Sequence, residues 1–127
     1  MRIAITTPTF APENSGLGNV VMQYALALQA LGHEVDVLTA SSKAPDIRQH
    51  DIGFPFKIKR FDCKGSFALH NFVRGAVREY LRYLKANRYD VIIAHAAQNW
   101  ASELALIFME ANLTVYHSHC VSSGEIL

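Results

Sequence analysis

Pro12-Glu13-Asn14-Ser15-Gly16-Leu17-Gly18-Asn19-Val20-Val21, followed by Leu28-Gln29-Ala30-Leu31-Gly32-His33-Glu34-Val35, decides the fold. Upstream, Met1–Thr7 places Ala4 between Ile3 and Ile5, the composition of a strand buried on both faces. Pro8 and Pro12 bracket a loop, and Asn14 or Ser15 stands where a helix cap belongs. Leu17, Val20, Val21, Tyr24, Leu28 and Leu31 then recur at helical spacing, with Gly32 just past the end. Val35, Val37 and Leu38 predict a returning strand. A strand, a glycine-bearing loop at a helix N-terminus and a second strand make a site for anions and sugars. Backbone N–H groups converge there, the helix dipole favours negative charge, and glycine admits a ligand close to the backbone.

Outward from this unit the alternation continues. Ser41–Gly53 reads as an irregular loop and Phe56–Phe61 as a strand. Leu69, Phe72, Val73, Ala76, Val77, Tyr80, Leu81 and Leu84 predict one long amphipathic helix over about Phe67–Ala86, with Arg74, Arg78 and Arg82 on its other face. Val91–Ala94 predicts a strand, Trp100–Glu110 a helix and Leu113–His117 a last strand. Strands alternating with helices predict an α/β fold, a Rossmann-like parallel sheet flanked by helices with right-handed crossovers. With 127 residues, half of them hydrophobic, the chain can build one core, hence one domain over 1–127. The ending Ser122-Ser123-Gly124-Glu125-Ile126-Leu127 reads as the start of another loop-to-helix unit, so a fragment of a longer protein is expected.

A net charge of +1 argues against nucleic acid as a partner. Two cysteines, Cys63 and Cys120, are too few for a disulfide framework. The apolar start is too short for a signal peptide, and no apolar run reaches the ~18 residues of a membrane span. The expectation is a cytoplasmic domain. Its charge is uneven: Lys57–Arg88 holds nine basic residues against Asp62 and Glu79, a net of +7, leaving −6 for the remainder. The basic face is either solvated or a patch for an acidic partner. Arg74, Arg78 and Arg82, joined by Lys57, Lys59, Arg60 and Lys64, would suit an anionic membrane surface, at ~1 kcal/mol per cation.

The wording Ser-Gly-Leu-Gly-Asn-Val-Val and Leu-Gly-His-Glu-Val resembles the opening of the GT-B glycosyltransferases, closest to family 4 and the starch/glycogen-synthase-like enzymes. The resemblance implies one half of a GT-B fold: the N-terminal, acceptor-side domain of a retaining enzyme that moves a sugar from a nucleotide-sugar to a glycan, lipid or small-molecule hydroxyl. It implies no metal and no cofactor beyond the donor substrate. The C-terminal nucleotide-sugar domain, with its Glu-x7-Glu motif, would be supplied in cis or by a partner subunit, and this chain alone would be inactive. Gly16, Leu17 and Gly18 match the synthase-like Gly-Gly-Leu-Gly run, with Ser15 in place of its first glycine. The lysine of the synthases falls at Glu13, which argues against a polymerising synthase. A stand-alone Rossmann-like nucleotide-binding or partner-binding module is the alternative.

Each candidate residue carries two readings. Gly16 and Gly18 either serve a tight turn and close packing, or hold donor phosphate and acceptor as in the resembled family. A dinucleotide fingerprint would need a third glycine where Val21 stands. His95, after Val91–Ala94, is either a cleft residue by the resemblance or a strand-end histidine bonded to backbone. His117 and His119 share one side of an extended chain. The resemblance assigns one of them to acceptor or transferred sugar, His119 by its wording and His117 by a shift of frame. A zinc site from His95, His117, His119 and Cys120 lacks the paired ligand spacing of structural zinc. A Cys120–histidine nucleophile lacks a supporting loop motif.

Overall fold

A computed structural model of the chain describes residues 1–12, 16–64, 73–95, 100, 101, 104 and 113–117, the side chains of Arg74, His95 and 113–117 excepted. In chain order the elements are β1 (Arg2–Thr6), α1 (Gly16–Ala30), β2 (Glu34–Ala40), α2 (Ile47–Ile52), β3 (Lys57–Phe61), β4 (Cys63–Lys64), β5 (Arg74–Gly75), α3 (Val77–Asn87), β6 (Val91–His95) and β7 (Leu113–His117). Five strands form a sheet in the order β3-β2-β1-β6-β7, every pairing parallel. The fold is Rossmann-like α/β.

The strands alternate between two cores, as burial on both faces requires. Ile3, Ile5, Val35 and Val37 meet Val21 and Ala25 of α1 on one face. Ala4, Leu38, Phe61 and Ile92 meet Tyr80 and Leu84 of α3 on the other. Helix α1 ends as its glycine predicts. Gly32 takes φ 96°, its N–H donates to Gln29 O at 3.0 Å, and the His33 N–H donates to Leu28 O at 3.2 Å. That bond pair closes the last turn through a left-handed residue.

Two elements depart from the sequence expectation. Within the expected loop, α2 forms although it buries no side chain. Its stability comes from outside the helix, through a carboxylate ion pair with β3 described below. The expected long helix is also interrupted. Arg74–Gly75 pairs antiparallel with Cys63–Lys64, and α3 begins only at Val77. Gly75 has φ 107°, and a Cβ there would collide with the Asp62 carbonyl. Ala76 donates its N–H to the same carbonyl at 2.8 Å. Val73 and Ala76 pack against the α3 core without belonging to the helix, so their helical spacing reports shared burial. Trp100, Ala101 and Leu104 have helical backbone, as expected of Trp100–Glu110; the rest of that range lies outside the described residues.

The amino edge of the sheet is held by polar bonds. Arg2 Nη1 donates to Asn87 O at 2.5 Å, and its Nε lies 3.0 Å from Glu34 Oε2. Its guanidinium stacks 5.2 Å from the Tyr89 ring centroid. Tyr89 in turn donates its hydroxyl to the buried Asp36 carboxylate at 2.6 Å. Burial and that donated bond raise the Tyr89 pKa, keeping the hydroxyl protonated. This edge has satisfied partners and serves as a fastening.

Candidate active site

The opposite, carboxyl edge is where the topology opens. The crossover from β1 to β2 runs through α1 on one face, and the crossover into β6 runs through α3 on the other. Strand order therefore reverses between β1 and β6, and in open α/β sheets ligands bind outside the strand ends at that reversal. Thr6 pairs with Ala94 in register, so the end of β1 and His95 reach the same level. His95 is the register partner of His117 on β7. The fold thus brings the backbone of both histidines and the N-terminus of α1 to one edge. Ser15 and His119 lie outside the described residues, as does Cys120.

The glycine loop leaves β1 under tight control. Thr7 continues the ladder by donating its N–H to Leu38 O at 3.0 Å, and its hydroxyl donates to Thr9 O at 2.9 Å. Phe10 is fully buried, edge-on to Phe54 and Phe56 with centroids 5.7 and 6.2 Å away. Gly16 then opens α1, exposed, with no atom of the other described residues, the helix's own backbone aside, within 4 Å of where a Cβ would stand. Its φ is not left-handed, so neither turn geometry nor packing among the described residues calls for glycine at this position. Gly18, by contrast, is buried in α1, and Leu17 packs its side chain against the α1 core. The first turn of α1 carries no acidic residue, so the positive end of its dipole is not neutralised from within the helix.

Around this loop stands a group that the sequence reading assigned to the basic patch. Arg60 is not a patch residue. Its side chain is only 10% exposed and pairs with Asp51 through two of its three nitrogens, Nε to Oδ2 at 2.8 Å and Nη2 to Oδ1 at 3.0 Å. It also donates to the Ala40 carbonyl at 3.1 Å and the Ala11 carbonyl at 2.5 Å. Asp51 meets His50 Nδ1 at 2.9 Å as well. Burial alone would raise the Asp51 pKa, but the bonds and charge of Arg60, with His50, carry it below its ordinary 3.8. A carboxylate whose folded pKa is depressed stabilises the fold above its unfolded value and loses that stabilisation as pH falls through the folded one. Urea midpoints of the wild type are therefore expected to fall below about pH 4, and to fall less steeply in Asp51→Asn; equal slopes would contradict the pairing.

The expected basic helix face is smaller than the sequence implied. Arg78 and Arg82 are exposed on α3, whereas Arg74 lies on β5. Arg82, Lys85 and Arg88 line a shallow concavity with Ala86. The ammonium groups of Lys57 and Lys59 sit over the Tyr83 ring at 5.5 and 5.7 Å, covering apolar surface with their stems. Among the described residues, no helix is long and apolar enough to cross a membrane.

The sequence pattern of Glycosyltransferase Family 4 matches residues 14–123, from the glycine loop to beyond β7. The chain belongs to glycosyltransferase family 4. No curated protein matches it. The matched span takes in the start of α1 and the ends of β6 and β7, the elements that meet at the carboxyl edge of this family 4 domain. Cys63, on β4, stays clear of that chemistry. Burial pushes its thiol up to about 11, so little thiolate is present at neutral pH. Iodoacetamide at pH 7.5 is expected to leave Cys63 unmodified in the native family 4 protein and to label it in urea, as read by peptide mass. Native labelling at the unfolded rate would contradict its burial.

Proposed function

We propose that this family 4 domain is the acceptor-side half of a retaining glycosyltransferase that moves a sugar from a nucleotide-sugar to a hydroxyl of a glycan, lipid or small molecule. The observation that carries the reading is Gly16: exposed, with no other atom of the described residues crowding its Cβ position, and in the first turn of a 15-residue helix, a turn that holds no acidic residue, beside the strand-order reversal. The backbone N–H groups of Gly16, Leu17 and Gly18 form the cradle for a donor phosphate, with Ser15 before them. They stabilise charge that develops on the departing diphosphate, because they are aimed before the reaction begins. His119 or His117 holds the acceptor or the transferred sugar by hydrogen bonds, and His95 closes the same edge. No metal and no cofactor beyond the donor takes part in this reading.

The nucleotide is gripped mainly by a C-terminal domain, in cis or on a partner subunit, and this chain alone does not catalyse transfer. The enzyme works in the cytoplasm. Arg78 and Arg82, exposed on α3, with Arg74 and neighbouring lysines make the patch for an anionic bilayer, where each cation contributes about 1 kcal/mol and roughly five or six are needed for reversible adhesion. The test is transfer by the natively expressed protein, with any subunit that co-purifies, from labelled UDP-, GDP- and ADP-sugars to lipid, glycan and small-molecule acceptors. Transfer with retained anomeric configuration, read by NMR of the product, is the expected result. No transfer from any donor, with tight mononucleotide binding by the chain itself, would make it a nucleotide-binding module instead.

A further inference from the structure

We infer that Arg60 is a positioning residue for the glycine loop: a buried strut that fixes where the chain leaves Ala11 and so where Gly16 presents its backbone. This rests on the reading of Gly16 as part of the donor cradle.

The Arg60 side chain emerges from β3, two strands away from β1 in the sheet. It nevertheless reaches the loop after β1, donating to the Ala11 carbonyl. One planar guanidinium thereby joins three segments: the end of β2 through Ala40, helix α2 through Asp51, and the β1–α1 loop through Ala11. Lysine cannot do the same, because a single ammonium has no rigid fork with which to bind a carboxylate twice and reach two carbonyls. Next to Ala11, buried Phe10 pins the loop by an independent, apolar route. Ala11 stands on the described part of the loop that leads to α1, five residues before Gly16. A pre-aimed anion cradle loses rate steeply when its donors drift by about 1 Å. The Asp51–Arg60 pair, whose charges are matched and largely buried, therefore acts on the cleft through the loop.

A strut that merely stabilises the fold would affect activity only in proportion to stability. Tyr89→Phe, at the far amino edge, supplies a control that removes the hydroxyl donated to buried Asp36 without touching the loop. In Arg60→Lys, hydrogen exchange in the peptide spanning Phe10–Gly18 should rise at least tenfold, and kcat for transfer should fall at least tenfold. Tyr89→Phe should leave both within twofold. The inference is overturned if Arg60→Lys changes neither, or if the two variants lower kcat equally. If wild-type protein transfers no sugar at all, the reading of Gly16 falls, while the exchange comparison still decides whether Arg60 holds the loop.

Discussion

Replacing Tyr80 by alanine should lower the unfolding free energy by about 3–5 kcal/mol, the usual cost of deleting a large buried aromatic. Tyr80 is fully buried and central to the α3 core. Its ring stands edge-on to Phe61 with centroids 5.1 Å apart, and to Trp100 at 4.9 Å. Such pairs contribute roughly 0.5–1.5 kcal/mol each beyond area burial. Its hydroxyl donates to the Ala101 carbonyl at 2.8 Å, which ties the segment after β6 to α3. Alanine would open a cavity, break both ring contacts and leave that carbonyl without its donor. Tyr80→Phe keeps the rings and loses only the hydroxyl bond, worth about 1 kcal/mol net. Urea titration of the purified protein measures both; a Tyr80→Ala loss no larger than that of Tyr80→Phe would contradict the packing described.

The second large effect is on activity, and it moves opposite to stability. In Gly16→Asp the new Cβ meets no crowding atom among the described residues, so the fold should tolerate it. A carboxylate in the first turn of α1 favours the helix by roughly 0.3–1 kcal/mol through the dipole. The same carboxylate occupies the position from which a phosphate would be bound, and repels it. The expected result is a fall of at least ~100-fold in kcat/KM, about 2.7 kcal/mol of transition-state binding, with the melting temperature unchanged or raised. Gly16→Ala should sit between this variant and wild type. Full activity in Gly16→Asp would remove the phosphate from this loop.

Much of this architecture was legible in the sequence because it is carried by local signals. The β1–α1–β2 unit follows from a doubly buried strand, a 3.6-residue apolar spacing and Gly32, which closes the helix through its positive φ. Gly16 was legible as a candidate, but the sequence does not reveal that its φ is ordinary and that its Cβ position is uncrowded among the described residues. Other features depend on partners distant in sequence. Helix α2 buries none of its side chains, so no periodicity announces it; Asp51 bound to Arg60 holds it to β3. The break before α3 depends on Asp62, whose carbonyl receives the Ala76 N–H and leaves no room beside Gly75. Arg60 reads in sequence as one more cation among Lys57, Lys59 and Lys64. Only the fold reveals that its charge is matched by Asp51 and that its other donors reach the Ala40 and Ala11 carbonyls.

The central claim is that donor and acceptor meet this family 4 domain at its carboxyl edge, between β1 and β6. Hydrogen exchange of the natively expressed protein, with any co-purifying subunit, measures this most directly in the presence of saturating UDP-, GDP- and ADP-sugars in turn. Protection by at least one donor is expected in the peptides covering Thr7–Val20 and the ends of β6 and β7. The amino edge around Arg2, Glu34 and Asn87 should remain unchanged. Protection at that amino edge, or no change in this domain with any donor, would contradict the account.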